Sequence, residues 1–396
     1  MLEKRVTLRQ LRPGMYVSRL DRPWLGTPFS LQGFQIRVGS DIAELRKHCK
    51  YVFIDVERGL DAKPEKLDIP PPTLRTKPDP VEAQVELPKA RQSAEQVSSE
   101  LARIFDGAKS GGRAIQTAQL REGITGLVDS VLRSTDAALL LARLKRKDNY
   151  TYTHALSCSL LAVALGKQLM LEKAELQKLA LAASLFDIGK THVPDELLVK
   201  SGPMTAAELS LLRRHVEFGL KVLKEMRDID EGTINAVRYH HERHDGSGYP
   251  EGRMGRDIPL FARIVGLVDA YDAMTSTRVY RSAMSHESAI RELYELRDRH
   301  FQPELIEHLI QCLGTYPAGT LVELTTGEVA IVVEQNLVRR LRPKVMVVLD
   351  ADKRPLDHFP QIDLLSESVS DHGAPVAIAS TLAPGSYGVD ASEYFI

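Results

Sequence analysis

Apolar positions along this chain fall into two regimes: short alternating runs towards both ends, and a long middle where they recur three and four residues apart. Alternation is the period of a half-buried strand, and three-and-four spacing is that of an amphipathic helix. Near the start, VTLRQL, MYVSRL, FQIRV and YVFIDV are short, rich in β-branched and aromatic residues and separated by Pro and Gly, which predicts strands. DIAELRKHC predicts one helix between the last two. The prolines of KPEKLDIPPPTLRTKPDPV, from residue 63 onwards, exclude regular helix or central strand.

From about residue 90, ARQSAEQVSSELARIFDGA and AQLREGITGLVDSVLRSTDAALLLARLKRK carry the helical spacing. The block from 146 to about 313 reads as nearly all helix, with Thr205 and Glu208 at capping-box spacing. Beyond Tyr316, LVELTTGEVAIVVEQ and KVMVVLD predict short strands, and the end of the chain is expected to be loosely ordered. The expected organisation is a mixed α/β accessory unit over 1–62, a Pro-rich linker over 63–90, a helical domain over 91–313, a small β appendage over 314–370 and a tail over 371–396. The fold class is mainly α.

Composition narrows the function. The chain of 396 residues is long enough for several domains, and 43% hydrophobic with 27% charged residues is ordinary for a globular protein. A formal net charge of -1 provides no basic field for a nucleic-acid polymer, so an anionic ligand must be met locally. Cys49, Cys158 and Cys312 are widely spaced and form no CxxC pair, which fits reduced thiols. There is no signal-peptide stretch and no run of about 18 apolar residues. A cytoplasmic protein without membrane insertion is expected.

The candidate chemistry is a ladder of His and Asp on otherwise apolar helices. His154 lies in YTYTHALSCSLLAVALG, with Cys158 and Leu161 on the same helical face. Asp187 ends the apolar run LALAASLFDIGK, where a carboxylate is poorly placed against the negative end of a helix dipole unless a cation is near. His215 has Leu211, Leu212, Phe218 and Gly219 around it, and His240 and His241 open the turn HHERHDGSGYP. Asp269 and Asp272 sit in the apolar run IVGLVDAYDAM, where an unpaired carboxylate costs several kcal/mol. Each residue alone fits a structural role better than a ligand role. Together they suit a metal-dependent hydrolase, since imidazole nitrogens and carboxylate oxygens hold divalent metals.

The block from His154 to Arg281 resembles the HD-GYP domain, a branch of the HD phosphohydrolase superfamily, in DIGK at 187–190, PDELLVKSGPMTAAE, His215, HHERHDGSGYP and DAYDAMTSTRVYR. LRPGMYVSRLDRPW and YVFIDVERG look like a domain of unknown function that often precedes it. The resemblance implies an HD-type helical bundle and metal-dependent hydrolysis of cyclic di-GMP to pGpG, in some members onward to GMP. It implies one or two divalent ions, iron or manganese ahead of magnesium, nickel or zinc. Mapped by motif, His215, His240 and His241 serve one ion, Asp187 bridges, and His154 and Asp269 serve the neighbour. Lys190 meets the phosphate or the leaving oxygen, Arg278 and Arg281 contact phosphate, and Tyr249 shapes the pocket. Signalling partners would dock through residues 1–62 or the GYP surface, and a homodimer is one candidate assembly. Two departures stand out: Phe186 replaces the His of the HD pair, and Tyr150 stands where fuller sites carry Glu. Both fall on the His154 side. The alternative expectation is therefore a weakly catalytic cyclic di-GMP receptor or scaffold.

Overall fold

The computed structural model describes residues 2–8, 10–29, 33–49, 51–61, 69–72, 79–110, 116–144, 150–276, 283–366 and 376–395. Its N-terminal unit contains β1 (Glu3–Thr7), β2 (Tyr16–Leu20), β3 (Phe34–Gln35), α1 (Gly39–His48) and β4 (Tyr51–Asp55). The strands form an antiparallel sheet in the order β1-β4-β2-β3. One face, with Val6, Val17, Leu20, Val52 and Ile54, is buried with Ile42 and Leu45 of α1. Trp24 packs edge-on to Phe34 beside this core, ring centroids 6.4 Å apart. The FQIRV strand is cut to two residues because the Asp41 carboxylate accepts the N–H groups of Arg37 and Val38, turning the chain into α1.

The helical block contains α2 (Ala83–Lys109), α3 (Ala118–Arg133), α4 (Thr135–Arg143), α5 (Tyr150–Gln168), α6 (Lys173–Leu185), α7 (Asp195–Leu198), α8 (Ala206–Arg213), α9 (His215–Glu225), α10 (Glu231–Tyr239), α11 (Leu260–Thr275), α12 (His286–Glu295) and α13 (Pro303–Leu313). The 63–90 linker expectation needs correction at its far end, since α2 begins at Ala83 and contains Pro88. Apolar spacing outweighs the proline there: Ala83, Leu87, Ala90, Ala94, Val97 and Leu101 form one buried stripe. Buried Glu86, on the same helix, accepts from Ser130 and from two nitrogens of Arg133. At the centre α5 packs on α6, α10 on both α6 and α11, and α11 on α5. Their apolar residues form one large core. Thr205 and Glu208 cap α8 reciprocally, as their spacing predicts.

The final unit is an antiparallel sheet of β5 (Leu321–Leu324), β6 (Val329–Glu334), β7 (Lys344–Leu349), β8 (Gln361–Asp363) and β9 (Ile378–Thr381), in the order β8-β7-β6-β5-β9. The expectation of a separate, loose tail over 371–396 is overturned for its described part. β9 pairs with β5, Val322 facing Thr381, and Val389 and Phe395 are buried against Leu87 and Leu140. A free strand edge and an apolar groove on the helical block supply partners that composition does not reveal. Among the described residues, no helix is long and apolar enough to cross a membrane.

Candidate metal centre

Five separate segments deliver polar side chains to the core between α5, α6, α9, α10 and α11. His154 comes from α5, Asp187 from the junction where α6 ends, His215 from the first position of α9, His240 and His241 from the turn after α10, and Asp269 and Asp272 from α11. A 3-10 turn, Ile188–His192, follows Asp187 and lies against α9. That approach requires glycine, because a Cβ on Gly189 would lie 1.8 Å from the His215 carbonyl oxygen and 2.3 Å from the Gly219 nitrogen. The six residues that the sequence assigns to metal converge in two overlapping groups, Asp187 with His215, His240 and His241, and Asp187 with His154 and Asp269.

The first group is organised by its hydrogen bonds. His215 Nδ1 lies 2.7 Å from the Leu212 carbonyl, and His240 Nδ1 lies 3.0 Å from that of Val237. A carbonyl only accepts, so each Nδ1 carries the proton and each Nε2 presents a lone pair inward. Those Nε2 atoms are 3.4 Å apart, and His241 Nε2 is 3.2 Å from that of His215. Burial holds His215 below the usual imidazole range, His240 at about 4 and His241 well below 6.5, so the cluster is neutral at physiological pH. Asp187 Oδ1 lies 3.6 Å from His215 Nε2 and 3.8 Å from His240 Nε2, buried and without a hydrogen-bond partner. Lone pairs facing lone pairs around an orphaned carboxylate oxygen repel one another unless a cation sits among them. This donor set fits a divalent metal.

The second group is built differently. His154 Nε2 is 3.1 Å from Asp269 Oδ1, its Nδ1 is 2.6 Å from Asp272 Oδ2, and Asp187 Oδ2 is 3.9 Å away. Burial opposes charge on His154, but Cys158, Asp269 and Asp272 together hold its pKa well above the ordinary value. Burial likewise works against the Asp187 carboxylate, yet Lys190, which contacts its Oδ2, and then His215, His240 and His154 keep it ionised. Phe186 is fully buried between the two groups, its ring edge-on to His154 at 5.7 Å and to His240 at 5.1 Å between centroids. It contributes no donor atom. With Phe186 in that position, the second group offers three donors rather than four.

At the mouth, Tyr249 stacks on His241, with centroids 4.7 Å apart and planes 23° from parallel, and the Arg213 guanidinium lies 5.0 Å from the Tyr249 ring centroid. Burial pushes the Tyr249 phenol up, so it remains a proton donor. Arg278 and Arg281 lie outside the described residues, as does the side chain of Tyr150. Two contributors have no role in the motif mapping, although the sequence marks Asp272 as a carboxylate on an apolar helix in need of a partner. Asp272 orients His154; its signal is a second carboxylate three residues after Asp269 on an apolar helix. Glu242 is buried and accepts the N–H groups of Glu251 at 2.7 Å and Arg253 at 3.0 Å, bracing the turn that carries Tyr249.

A helical bundle that gathers neutral imidazoles and carboxylates around an orphaned oxygen has the architecture of a metal-dependent hydrolase. Comparison with known proteins agrees. Residues 138–305 match an HD domain, residues 3–120 a domain of unknown function, and residues 321–369 a KOW domain associated with HD domains. A cyclic di-GMP phosphodiesterase of Pseudomonas aeruginosa is 36% identical over 357 residues, spanning 88% of this chain and 86% of that protein. A cyclic di-GMP phosphodiesterase response regulator of Xanthomonas campestris is 38% identical over 177 residues, 43% of this chain and 47% of its own. A 3'3'-cGAMP-specific phosphodiesterase of Vibrio cholerae is 33% identical over 198 residues, 48% and 37% of the two chains. The chain belongs to the HD-GYP family of HD phosphohydrolases.

Proposed function

We propose that this protein hydrolyses a phosphodiester bond of cyclic di-GMP, releasing pGpG, and that it does so in the cytoplasm. The carrying observation is the orphaned Asp187 Oδ1 facing the inward Nε2 atoms of His215 and His240, with His241 completing the set. In this reading His215, His240, His241 and Asp187 hold one ion, and Asp187, His154 and Asp269 serve a second. Mixed nitrogen and oxygen donors suit iron or manganese. A divalent metal so held polarises a phosphoryl oxygen and lowers the pKa of water.

The side chains supply the rest. Asp187 bridges both groups, and Asp272 keeps the His154 ring aimed at Asp269. The Lys190 ammonium, partly open to solvent beside Asp187, neutralises phosphate charge and donates a proton to the leaving oxygen. Tyr249 forms a wall with its ring held on His241. Arg278 and Arg281 are assigned to phosphate by motif alone.

The test is incubation of purified protein with cyclic di-GMP and Mn(II) or anaerobic Fe(II), followed by chromatography for pGpG, with 3'3'-cGAMP in parallel. Metal-dependent binding without product would sink the enzyme reading. A second reading, a receptor that binds without cleaving, is favoured by Phe186, which removes a donor from the centre, and by Tyr150 in the sequence, where fuller sites carry Glu.

A further inference from the structure

The N-terminal sheet buries only one of its faces, and the other has an unusual composition. β4 lies between β1 and β2, and the register sets Phe53 opposite Arg5 on one side and Arg19 on the other. Tyr51, two residues along β4, shares that face, and Tyr16, next to buried Val17, points the same way. The Arg19 guanidinium lies 3.6 Å above the Phe53 ring, Arg58 lies 3.8 Å from Tyr16, and Arg5 lies 5.3 Å from Tyr51. Tyr51 and Phe53 are 5.7 Å apart, edge to face. All three arginines are exposed and the rings are half-buried.

Three cation–π pairs thus lie on this one small sheet and the turn that follows β4. One carboxylate on this face offsets part of the charge. Glu3 reaches Arg19 at 3.5 Å, and buried Asp55 is occupied by the Glu57 N–H. A guanidinium stacked on a ring offers its free face to a flat base and its edge N–H groups to phosphate. The complementary ligand is planar and anionic at once.

This face is also joined to the metal centre. Arg5 Nη2 reaches the Asp298 carbonyl at 3.5 Å, and the loop beyond it receives hydrogen bonds from the turn after α10, His244 N to His300 O and Asp245 N to Arg299 O.

We infer that the outward face of the N-terminal sheet, centred on Arg19, Phe53, Tyr51 and Arg58, is a second binding site for a cyclic purine dinucleotide, separate from the metal centre. The choice of ligand rests on the function proposed above; the surface itself does not. Occupancy at Arg5 acts on the loop that supports the His240–Pro250 turn, making the site regulatory.

The experiment titrates the full, Mn(II)-loaded chain by calorimetry with a phosphorothioate analogue of cyclic di-GMP that resists cleavage. Two equivalents are expected for the native chain and one for Arg19→Glu, the lost site weakening by about tenfold or more, as stacking energies of bases on such platforms indicate. Arg58→Ala, on the neighbouring turn, should weaken the same equivalent and guards against misfolding in the first variant. Equal stoichiometry and affinity in all three chains overturns the inference. Displacement of that equivalent by single-stranded RNA at lower concentration than by the dinucleotide overturns the ligand assignment. Cleavage of unmodified cyclic di-GMP at saturating concentration is measured on the same chains. If none of them makes pGpG while Arg19→Glu still loses one equivalent, the proposed function fails and this site stands.

Discussion

Asp187 Oδ1 lies 3.6 Å from His215 Nε2, and no hydrogen lies between them to relieve the opposition of two acceptors. Asp187→Asn would supply a donor in place of that acceptor. The variant should fold, lose most of its bound metal, and lose turnover by about 100-fold or more, since even outer contacts to metal ligands are worth 10–100-fold. His240→Ala should behave alike. Elemental analysis alongside the pGpG assay checks both, and near-native turnover in either contradicts the assignment.

Phe186→His restores a donor between His154 and His240, whose rings lie 5.7 and 5.1 Å from the phenyl ring. Metal per chain and turnover should both rise. Unchanged metal content in a folded Phe186→His protein would show that the shortage lies elsewhere.

Gly189→Ala forces a methyl against backbone rather than against a yielding side chain, 1.8 Å from the His215 oxygen. The turn carrying Asp187 and Lys190 must separate from α9. A loss of about 1–3 kcal/mol in unfolding free energy is expected, with reduced metal binding. Thermal melts and elemental analysis check it. A native melting temperature would mean that α9 shifts without cost.

Stability should fall in mild acid for a reason outside the metal centre. Buried His286 accepts from the Tyr271 hydroxyl at Nδ1, donates from Nε2 to the Gly314 carbonyl, and lies near the Arg143 cation. Burial first, then Arg143, lowers its pKa from 6.5 to about 3. The unfolded chain therefore takes up a proton below pH 6.5 while the folded chain does not, until about pH 3. Stability is full above 6.5 and declines as pH falls through that window, by roughly 2 kcal/mol at pH 5. His286→Gln keeps a donor and an acceptor without the titration, so its stability should change less between pH 7 and 5. Parallel slopes for both chains would refute this account.

The helical centre was legible because residue type and spacing carry it: His or Asp inside an apolar helical stripe needs a partner, and six such residues reach one place. What escaped reading depends on contacts distant in sequence. Nothing near Ile378–Thr381 announces that it will pair with β5, more than fifty residues earlier. Glu242 reads as one more charge in a turn until the N–H groups of Glu251 and Arg253 are seen to point at it. The linker was drawn on to residue 90 from a run of prolines that ends at Pro80, because a proline signal is local, whereas the burial of Ala83, Leu87 and Ala90 that starts α2 early is not.

Trp24 is the single tryptophan of the chain, and it sits beside the N-terminal core against Phe34. Indole emission is thus a private reporter for the sheet unit, silent about the helices, whereas far-ultraviolet dichroism is dominated by the bundle. Melting followed by both signals would reveal whether the two parts come apart together or in sequence, with no label introduced.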